Sequence, residues 1–289
     1  MSMPSPPAVK TGDFGGIFVP PDVQTRVINL LIEQAAFAAS ITRLTTTAGE
    51  VAFPVAAPSG AAWIAELQRI PLMSLNDRAE IVAVAKLSGL LDISNEMMRD
   101  PSVNITASFT TLLKDSLSKQ LDDGLLNGGG PPEPRGVIAA AAEVEGPDLL
   151  GAVLAARGAI ADAGGTPTTV AASGAAFAAA DGQRDDNGQL MFPNGFAAAA
   201  GLIPVTVPGL DPPLVYDKSR VYLIVREDST VEISDQFRWD FDATSYRVRA
   251  RMAAAVPDPN KGIRALKIAD DGTRRAAHDE PAKRHTTKS

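Results

Sequence analysis

Hydrophobic residues recur at helical spacing in several parts of the chain. The most regular stripe runs through residues 104–126, begins at Asn104, a preferred N-cap residue, and ends before three glycines at 128–130. At 1.5 Å per residue this stripe predicts a helix of roughly 33 Å. Similar spacing predicts a helix over residues 20–34 and another that begins just after Pro147.

Alternation of apolar and polar residues predicts a projecting hairpin in the first third of the chain. Residues 50–55 and 80–87 both alternate, and a connection of roughly 20 residues or more separates them. A connection of that length is unusual inside a compact domain. We therefore expect the hairpin to extend from the body and to contact another chain.

Short strands and short helices follow one another in the second half of the chain, which predicts an α+β fold. Ser173 is expected to cap an alanine-rich helix, and residues 220–234 predict two strands joined by a turn at 227–229. The other strands are predicted at residues 40–47, 168–172, 201–207, 239–256 and 264–268.

The composition excludes several classes of enzyme. The chain contains no cysteine, so disulfides, thiolate nucleophiles and cysteine-bound metals cannot form. The two histidines, His278 and His285, both lie in the polar C-terminal segment. A Ser-His-Asp triad or a histidine-bound zinc ion would depend on that segment alone. We therefore expect no catalytic site, no metal site and no cofactor.

The net charge is unevenly distributed. Residues 261–289 contain eight Lys/Arg and four Asp/Glu, a net of +4, whereas the whole chain carries −7, which leaves −11 on residues 1–260. An acidic body argues against general nucleic-acid binding, although the basic C-terminal segment leaves nonspecific contact with DNA open. The sequence also lacks an uninterrupted apolar run of membrane-spanning length, so we expect no association with a membrane.

Two local motifs resemble ligand sites but fit structural roles better. The glycines at 128–130 follow a helix and lack the Lys-Ser/Thr ending of a phosphate-binding loop, which favours a helix stop. Residues 185–187 are acidic or amide side chains, but the spaced acids and terminal Glu of a calcium-binding loop are missing. We interpret residues 185–187 as part of a solvated loop.

Several short motifs occur in a fixed order between residues 15 and 268. Their order and spacing resemble those of the major capsid proteins of tailed bacteriophages, which have the Hong Kong 97-like fold. The similar pieces are the helix at 20–34, Trp63-Ile64-Ala65-Glu66, the run from Lys86 to Glu96, Leu126-Asn127-Gly128-Gly129, Pro134-Arg135-Gly136-Val137, Gly201 to Val205, and the arginine-rich strand before Pro257.

The resemblance implies an L-shaped subunit with an N-terminal arm, an extended β-hairpin loop, a peripheral domain with a long spine helix, and an axial domain at the capsomer centre. The implied division is the arm at 1–20, the peripheral domain at 21–46, 81–134 and 237–269, the extended loop at 47–80, the axial domain at 135–236, and a basic flexible tail at 270–289.

Candidate intersubunit contacts lie on the hairpin and on one late strand. Trp63 offers a large anchor for a partner pocket, although it could instead fold back onto its own hairpin. Arg247, Arg249 and Arg251 share one strand face. There they line a solvated edge, pair with local acids such as Asp240 and Asp242, or face a neighbour or DNA. The complete set is Trp63, Glu66, Arg69, Arg78, Arg247, Arg249 and Arg251.

The resemblance implies a non-enzymatic shell protein that forms hexamers and pentamers around double-stranded DNA. Its expected location is the virion, after assembly in the bacterial cytoplasm. Some relatives carry a long scaffolding segment before this fold, and only about 20 residues precede it here. The chain would then depend on a separate scaffolding protein or assemble without one. The resemblance also implies a portal and a decoration protein as partners. Two alternatives remain open at this point, an encapsulin-like compartment shell and an α+β hydrolase or metal-dependent enzyme.

The position of the lysines predicts a shell without covalent crosslinks. Some relatives crosslink through a lysine in the extended loop, but no lysine lies between Lys10 and Lys86 here. Purified particles should therefore give a single monomer band on a denaturing gel. A ladder of covalent multimers would contradict this prediction.

Overall fold

The computed structural model describes residues 32–55, 62–72, 79–99, 105–185 and 187–268. The predicted arm at 1–20, most of the helix at 20–34, and the tail at 270–289 lie outside these residues. Seven α-helices lie wholly within them, and residues 32–34 are the described end of a further helix. Their bounds are α1 Ala36–Ser40, α2 Asn95–Arg99, α3 Ile105–Asn127, α4 Leu149–Asp162, α5 Gly174–Asp181, α6 Phe196–Ala199 and α7 Pro259–Gly262.

The described strands form two larger sheets and one two-stranded hairpin. The first sheet has the order β1-β9-β10-β4, the second has the order β5-β11-β8-β6-β7, and β2 pairs with β3. The bounds are β1 Thr42–Thr45, β2 Glu50–Pro54, β3 Ala79–Ala83, β4 Ala85–Ser94, β5 Ala142–Gly146, β6 Thr169–Ala172, β7 Ile203–Thr206, β8 Leu214–Tyr216, β9 Tyr222–Arg238, β10 Ala243–Ala255 and β11 Ile263–Ile268.

The mixed architecture confirms the predicted α+β class, and three helices begin where the sequence predicts. Helix α3 begins one residue after Asn104. The carboxylate of Asp148 accepts a hydrogen bond from the Gly151 amide at 2.7 Å, and Ser173 caps α5 through the Ala176 amide. These side chains satisfy amide groups that have no partner within the first turn.

One predicted turn is wrong, because residues 222–238 form a single strand. The polar residues at 227–229 lie inside β9, where the pairing with β10 shifts register on both sides of Arg251. The extra residues are accommodated as β-bulges, which let a long antiparallel pair continue through a polar run. The turn lies later, at residues 239–241, and ends at Asp242 with a left-handed φ of 45°.

Two segments belong to a different sheet from the one expected from the domain boundaries that the resemblance implied. Residues 222–236 were expected with the second unit, yet β9 pairs with β1 and β10 in the first sheet. Conversely, β11 was expected with the first unit but pairs with β5 and β8 in the second sheet. The chain therefore crosses between the sheets three times, along α3, near residue 221 and at α7.

One apolar core joins both sheets to helix α3. The first sheet contributes Leu223 and Met252, the second contributes Tyr216 and Ile263, and the C-terminal half of α3 contributes Leu125, all of them buried. A separate core forms beneath α4, α5 and α6 on the other side of the second sheet. Since the first core is common to the two sheets, they cannot be separated without exposing it to water.

The β2–β3 hairpin is attached to the first sheet only at its base. Val82 is buried against Ile224 and Ala253, and the ring of Phe53 stacks on Tyr222 with centroids 5.5 Å apart. Beyond this base the described residues at 62–72 are all exposed. The predicted hairpin is thus confirmed for residues 50–54 and 79–83. Residues 85–87 of its predicted second strand instead belong to β4 and pair with β10.

Asp122 connects helix α3 to helix α1. Its carboxylate accepts hydrogen bonds from the amides of Phe37 at 3.1 Å and Ala38 at 3.0 Å, in a buried position. Burial raises the pKa of Asp122 above its usual value, although the hydrogen bonds from these amides act in the opposite direction. The exposed Asp123 points elsewhere and bonds to Asn127.

Substitution of Asp122 should destabilise the subunit. Asp122→Ala leaves two buried amides without partners, so we expect the free energy of unfolding to fall by about 2–4 kcal/mol. Asp122→Asn keeps one acceptor oxygen and should lose less. The measurement is urea unfolding of the unassembled full-length chain, followed by circular dichroism. Asp123→Ala on the same helix is the matched control and should change stability by about 0.5 kcal/mol or less. Equal losses in both alanine variants would contradict the role of Asp122.

Candidate intersubunit surfaces

The described part of the projecting loop exposes a row of apolar side chains. Trp63 has a relative exposure of 105%, and Leu67, Ile70 and Leu72 are also largely exposed. Leu67 lies in a turn with a φ of 66°, closed by a hydrogen bond from the Gln68 amide to the Ala65 carbonyl at 3.2 Å. We call residues 62–72 the loop segment.

Three predicted contact residues lie in the loop segment. Trp63 does not fold back onto its own hairpin, because its side chain is fully exposed. Glu66 and Arg69 are exposed as well, and no ion pair joins either of them to another residue in the described part of the chain. Arg78, the fourth candidate of the hairpin, lies outside the described residues.

The three arginines of β10 pair with acids of the neighbouring strand β9. Arg247 and Arg249 both form ion pairs with Glu232. The Nε atom of Arg251 lies 3.3 Å from the Oε2 atom of Glu227. Hydrogen bonding from Arg247 is the largest of the effects that lower the pKa of Glu232. Pairing with local acids is therefore the observed arrangement.

The sequence suggests Asp240 and Asp242 as partners of these arginines, but the ion pairs observed are with Glu232 and Glu227. Arg247 is the register partner of Glu232 across the β9–β10 pair, while Asp240 and Asp242 lie in the turn at its end. Because β9 is one continuous strand, Glu227 and Glu232 lie alongside β10. The turn predicted at 227–229 did not indicate this pairing.

A second exposed apolar surface, which the sequence pattern does not predict, lies at the turn between β9 and β10. Phe237, Trp239 and Phe241 have relative exposures of 62%, 84% and 66%. We call residues 237–241 the aromatic tip. The sequence signal for this surface is the presence of three aromatic residues within five positions next to a turn. The alternation of apolar and polar residues does not show whether such side chains are buried or exposed.

Polar contacts hold the aromatic tip in place. The guanidinium of Arg238 lies 5.5 Å from the ring centroids of both Phe237 and Phe241, and its Nε is 3.0 Å from an oxygen of Asp92 on β4. The Asn95 side chain donates to Asp242 at 2.7 Å, just beyond the tip. The exposed rings are therefore presented on a turn that is anchored to the first sheet.

Two clefts lie in the described part of the chain. One, of about 280 Å³, lies between β3 and residues 130–137, and the other, of about 440 Å³, between α3 and residues 207–210. The second contains Asp115, Asp122 and Asp123 with Lys119. Among the residues that the structure describes, no three His, Asp or Glu lie close enough together to hold a metal ion, and no helix is long and apolar enough to cross a membrane.

Solved structures with a similar fold include ones from phages and from a GTA particle. One from Mycobacterium phage Adephagia matches with a TM-score of 0.69 and 19% identity over 81% of this chain and 90% of that chain. One from Microbacterium phage Oxtober96 matches with a TM-score of 0.67 and 18% identity over 81% and 91%. The capsid of a native GTA particle matches with a TM-score of 0.62 and 12% identity over 92% and 95%.

A family profile identifies the family over most of the chain. No curated protein sequence matches the chain. The profile of the phage capsid family, in contrast, matches residues 15–268, which include both sheets, helix α3, the loop segment and the aromatic tip. This range agrees with the resemblance in the order of motifs and with the fold of the solved structures. The chain therefore belongs to the phage capsid family.

Proposed function

We propose that the chain is the major capsid protein of a bacteriophage and forms the hexamers and pentamers of an icosahedral shell around double-stranded DNA. The observation that carries this proposal is the loop segment, which exposes Trp63, Leu67 and Leu72 on a chain of the phage capsid family. Exposed apolar patches of this kind mark interaction sites on otherwise soluble proteins. In a closed shell, neighbouring copies would cover them.

The two sheets would belong to different domains of the capsid subunit. The first sheet with α3 and the β2–β3 hairpin would form the peripheral domain and the extended loop. The second sheet with α4, α5 and α6 would form the axial domain at capsomer centres. Strand pairing favours the inclusion of β9 in the peripheral domain and of β11 in the axial domain.

The proposed partners follow from the same function. A separate scaffolding protein, a portal and a decoration protein would act during or after assembly in the host cytoplasm, and the mature location would be the virion. The basic segment 270–289 would make nonspecific contacts with packaged DNA, which should weaken as the salt concentration rises. A structural role needs no catalytic residue and no cofactor.

Imaging tests the shell proposal against its alternatives. The full-length chain, expressed alone and with a candidate scaffolding protein, should form closed particles in negative-stain micrographs. Particles from phage should protect double-stranded DNA from nuclease, whereas an encapsulin-like compartment would contain a cargo protein. A small oligomer with hydrolase activity and no particles under any condition would contradict the proposal.

Substitution of Trp63 should impair assembly without unfolding the subunit. Trp63→Ala removes a fully exposed ring, so the circular dichroism spectrum should not change. Because central aromatic residues dominate many interfaces, the yield of sedimenting shells should fall about tenfold or more. Trp63→Phe, which keeps an aromatic ring, is the matched control and should retain most of the yield. A normal yield from Trp63→Ala would show that this residue is not an anchor.

A further inference from the structure

The cleft between helix α3 and residues 207–210 has an apolar floor. Leu126, Val207 and Leu210 line it, and all three belong to the core that the two sheets share. Its volume of about 440 Å³ lies in the range of roughly 300–1,000 Å³ that is typical of pockets for small ligands. We call it the α3 cleft. It offers a ready-made apolar surface to a short segment of chain.

The rim of the α3 cleft carries an excess of negative charge. Asp115 and Asp123 lie about two turns apart on α3, and both are exposed. Within the described part of the chain, neither of them forms an ion pair. Lys119, between them on the helix, is the one cation among the described residues that line the cleft. Asp122 is buried and already accepts hydrogen bonds from the amides of α1. A segment with two positive charges would therefore complement this rim.

The described chain ends near the α3 cleft. Strand β11 runs antiparallel to β8, so its last residues pass alongside the connection that precedes β8. The Leu266 amide donates to the Pro213 carbonyl at 2.8 Å. Leu210, on the wall of the cleft, lies three residues before Pro213, and Ile268 lies two residues after Leu266. At 3.8 Å per residue, Ile268 is thus within roughly 25 Å of the cleft.

Residues 269–289, which we call the C-terminal segment, have the length and the charge to reach the α3 cleft. Arg274 and Arg275 are its first cations, six and seven residues after Ile268. An extended chain covers at most about 3.6 Å per residue, or roughly 22–25 Å over that distance. A tethered segment of this length is present at an effective concentration of about a millimolar or more, so individually weak ion pairs are enough to hold it.

We infer that the α3 cleft binds the C-terminal segment of its own subunit, with the adjacent pair Arg274-Arg275 facing Asp115 and Asp123. The contact lies within one subunit, so it does not depend on the proposed function. Gln34 also lines the cleft, just before helix α1. The bound segment would therefore fasten the beginning and the end of the described chain to the same helix.

The tether favours this occupant over another copy or a different protein. A second molecule would have to displace a segment that is always present beside the cleft. The later cations Lys283, Arg284 and Lys288 lie eight or more residues beyond the bound pair. They would remain available for the contacts with DNA proposed above.

Limited proteolysis of the unassembled full-length chain tests the contact. At low salt, trypsin should cleave after Arg275, relative to its cleavage after Arg284, about tenfold more slowly in the chain than in a synthetic peptide of residues 269–289. Mass spectrometry of the products measures both rates. Because salt shortens the Debye length from about 10 Å at 0.1 M to about 3 Å at 1 M, this protection should be largely lost at about 1 M sodium chloride. Equal relative rates in the chain and the peptide would overturn the inference.

Neutral variants locate the protected segment. Asp115→Asn/Asp123→Asn should abolish the protection, because it removes both charges from the rim. Glu66→Gln/Asp162→Asn neutralises two exposed acids elsewhere and should retain it, as a matched control. Circular dichroism should be unchanged in both, since all four residues are exposed. Protection that persists without Asp115 and Asp123 would mean that the segment binds elsewhere and would overturn the inference.

Engineered cysteines distinguish binding within a subunit from exchange between copies, because the chain has no cysteine of its own. Asn127→Cys, on the wall of the cleft, combined with Ala276→Cys should oxidise to a monomer with an internal disulfide, which migrates faster on a non-reducing gel. Leu190→Cys with Ala276→Cys places the first cysteine on an exposed position of the second unit and should oxidise at least tenfold more slowly. Disulfide-linked dimers in place of the internal disulfide would show exchange between copies and would rule out the inferred contact.

Charge exchange in the Asn127→Cys/Ala276→Cys background tests the ion pairs themselves. Arg274→Asp/Arg275→Asp brings like charges together at the rim and should slow formation of the internal disulfide about tenfold. Addition of Asp115→Arg/Asp123→Arg restores opposite charges and should recover most of the original rate. If the rate does not recover, these residues are not partners and the inference is wrong.

Discussion

The apolar core shared by the two sheets and helix α3 is the constraint on which the rest of the subunit depends. Residues as distant in sequence as Leu125, Tyr216 and Met252 are buried in it together, so the sheets behave as one body. The chain crosses from one sheet to the other and back, and each crossing adds residues to this core. The buried carboxylate of Asp122 joins helix α1 to the same body through two amide hydrogen bonds.

The parts that extend from this body have no comparable core. The β2–β3 hairpin packs on the first sheet only near Val82 and Phe53, and the loop segment beyond it is exposed throughout. The aromatic tip likewise extends past the end of β4, held by polar contacts instead of burial. Such a subunit has a buried core at its centre, whereas its projecting segments leave apolar side chains exposed to solvent. That combination suits a protein whose projections are completed by other copies.

The sequence predicted correctly those elements whose structure depends on nearby residues. It did not predict the features that depend on the pairing of distant strands. The extent of helix α3, the start of α4 just after Pro147 and the cap at Ser173 depend on nearby residues, and the structure confirms all three. The polar run at 227–229 was read as a turn because bulges cannot be recognised without the partner strand. Short strands such as β5 and β8 were missed, since three to five residues carry little periodicity. Trp63 was expected to be exposed, whereas the aromatic tip was not singled out.

The sequence by itself determined the α+β class, the long helix, the projecting hairpin and the absence of cysteine chemistry, because each follows from composition or from periodicity over a short window. The order of motifs further indicated the capsid family. Only the tertiary structure decided which sheet β9 and β11 join, which acids pair with the arginines of β10, and that Phe237, Trp239 and Phe241 are exposed on one anchored turn. These features depend on contacts between residues far apart in the chain, and no local pattern specifies them.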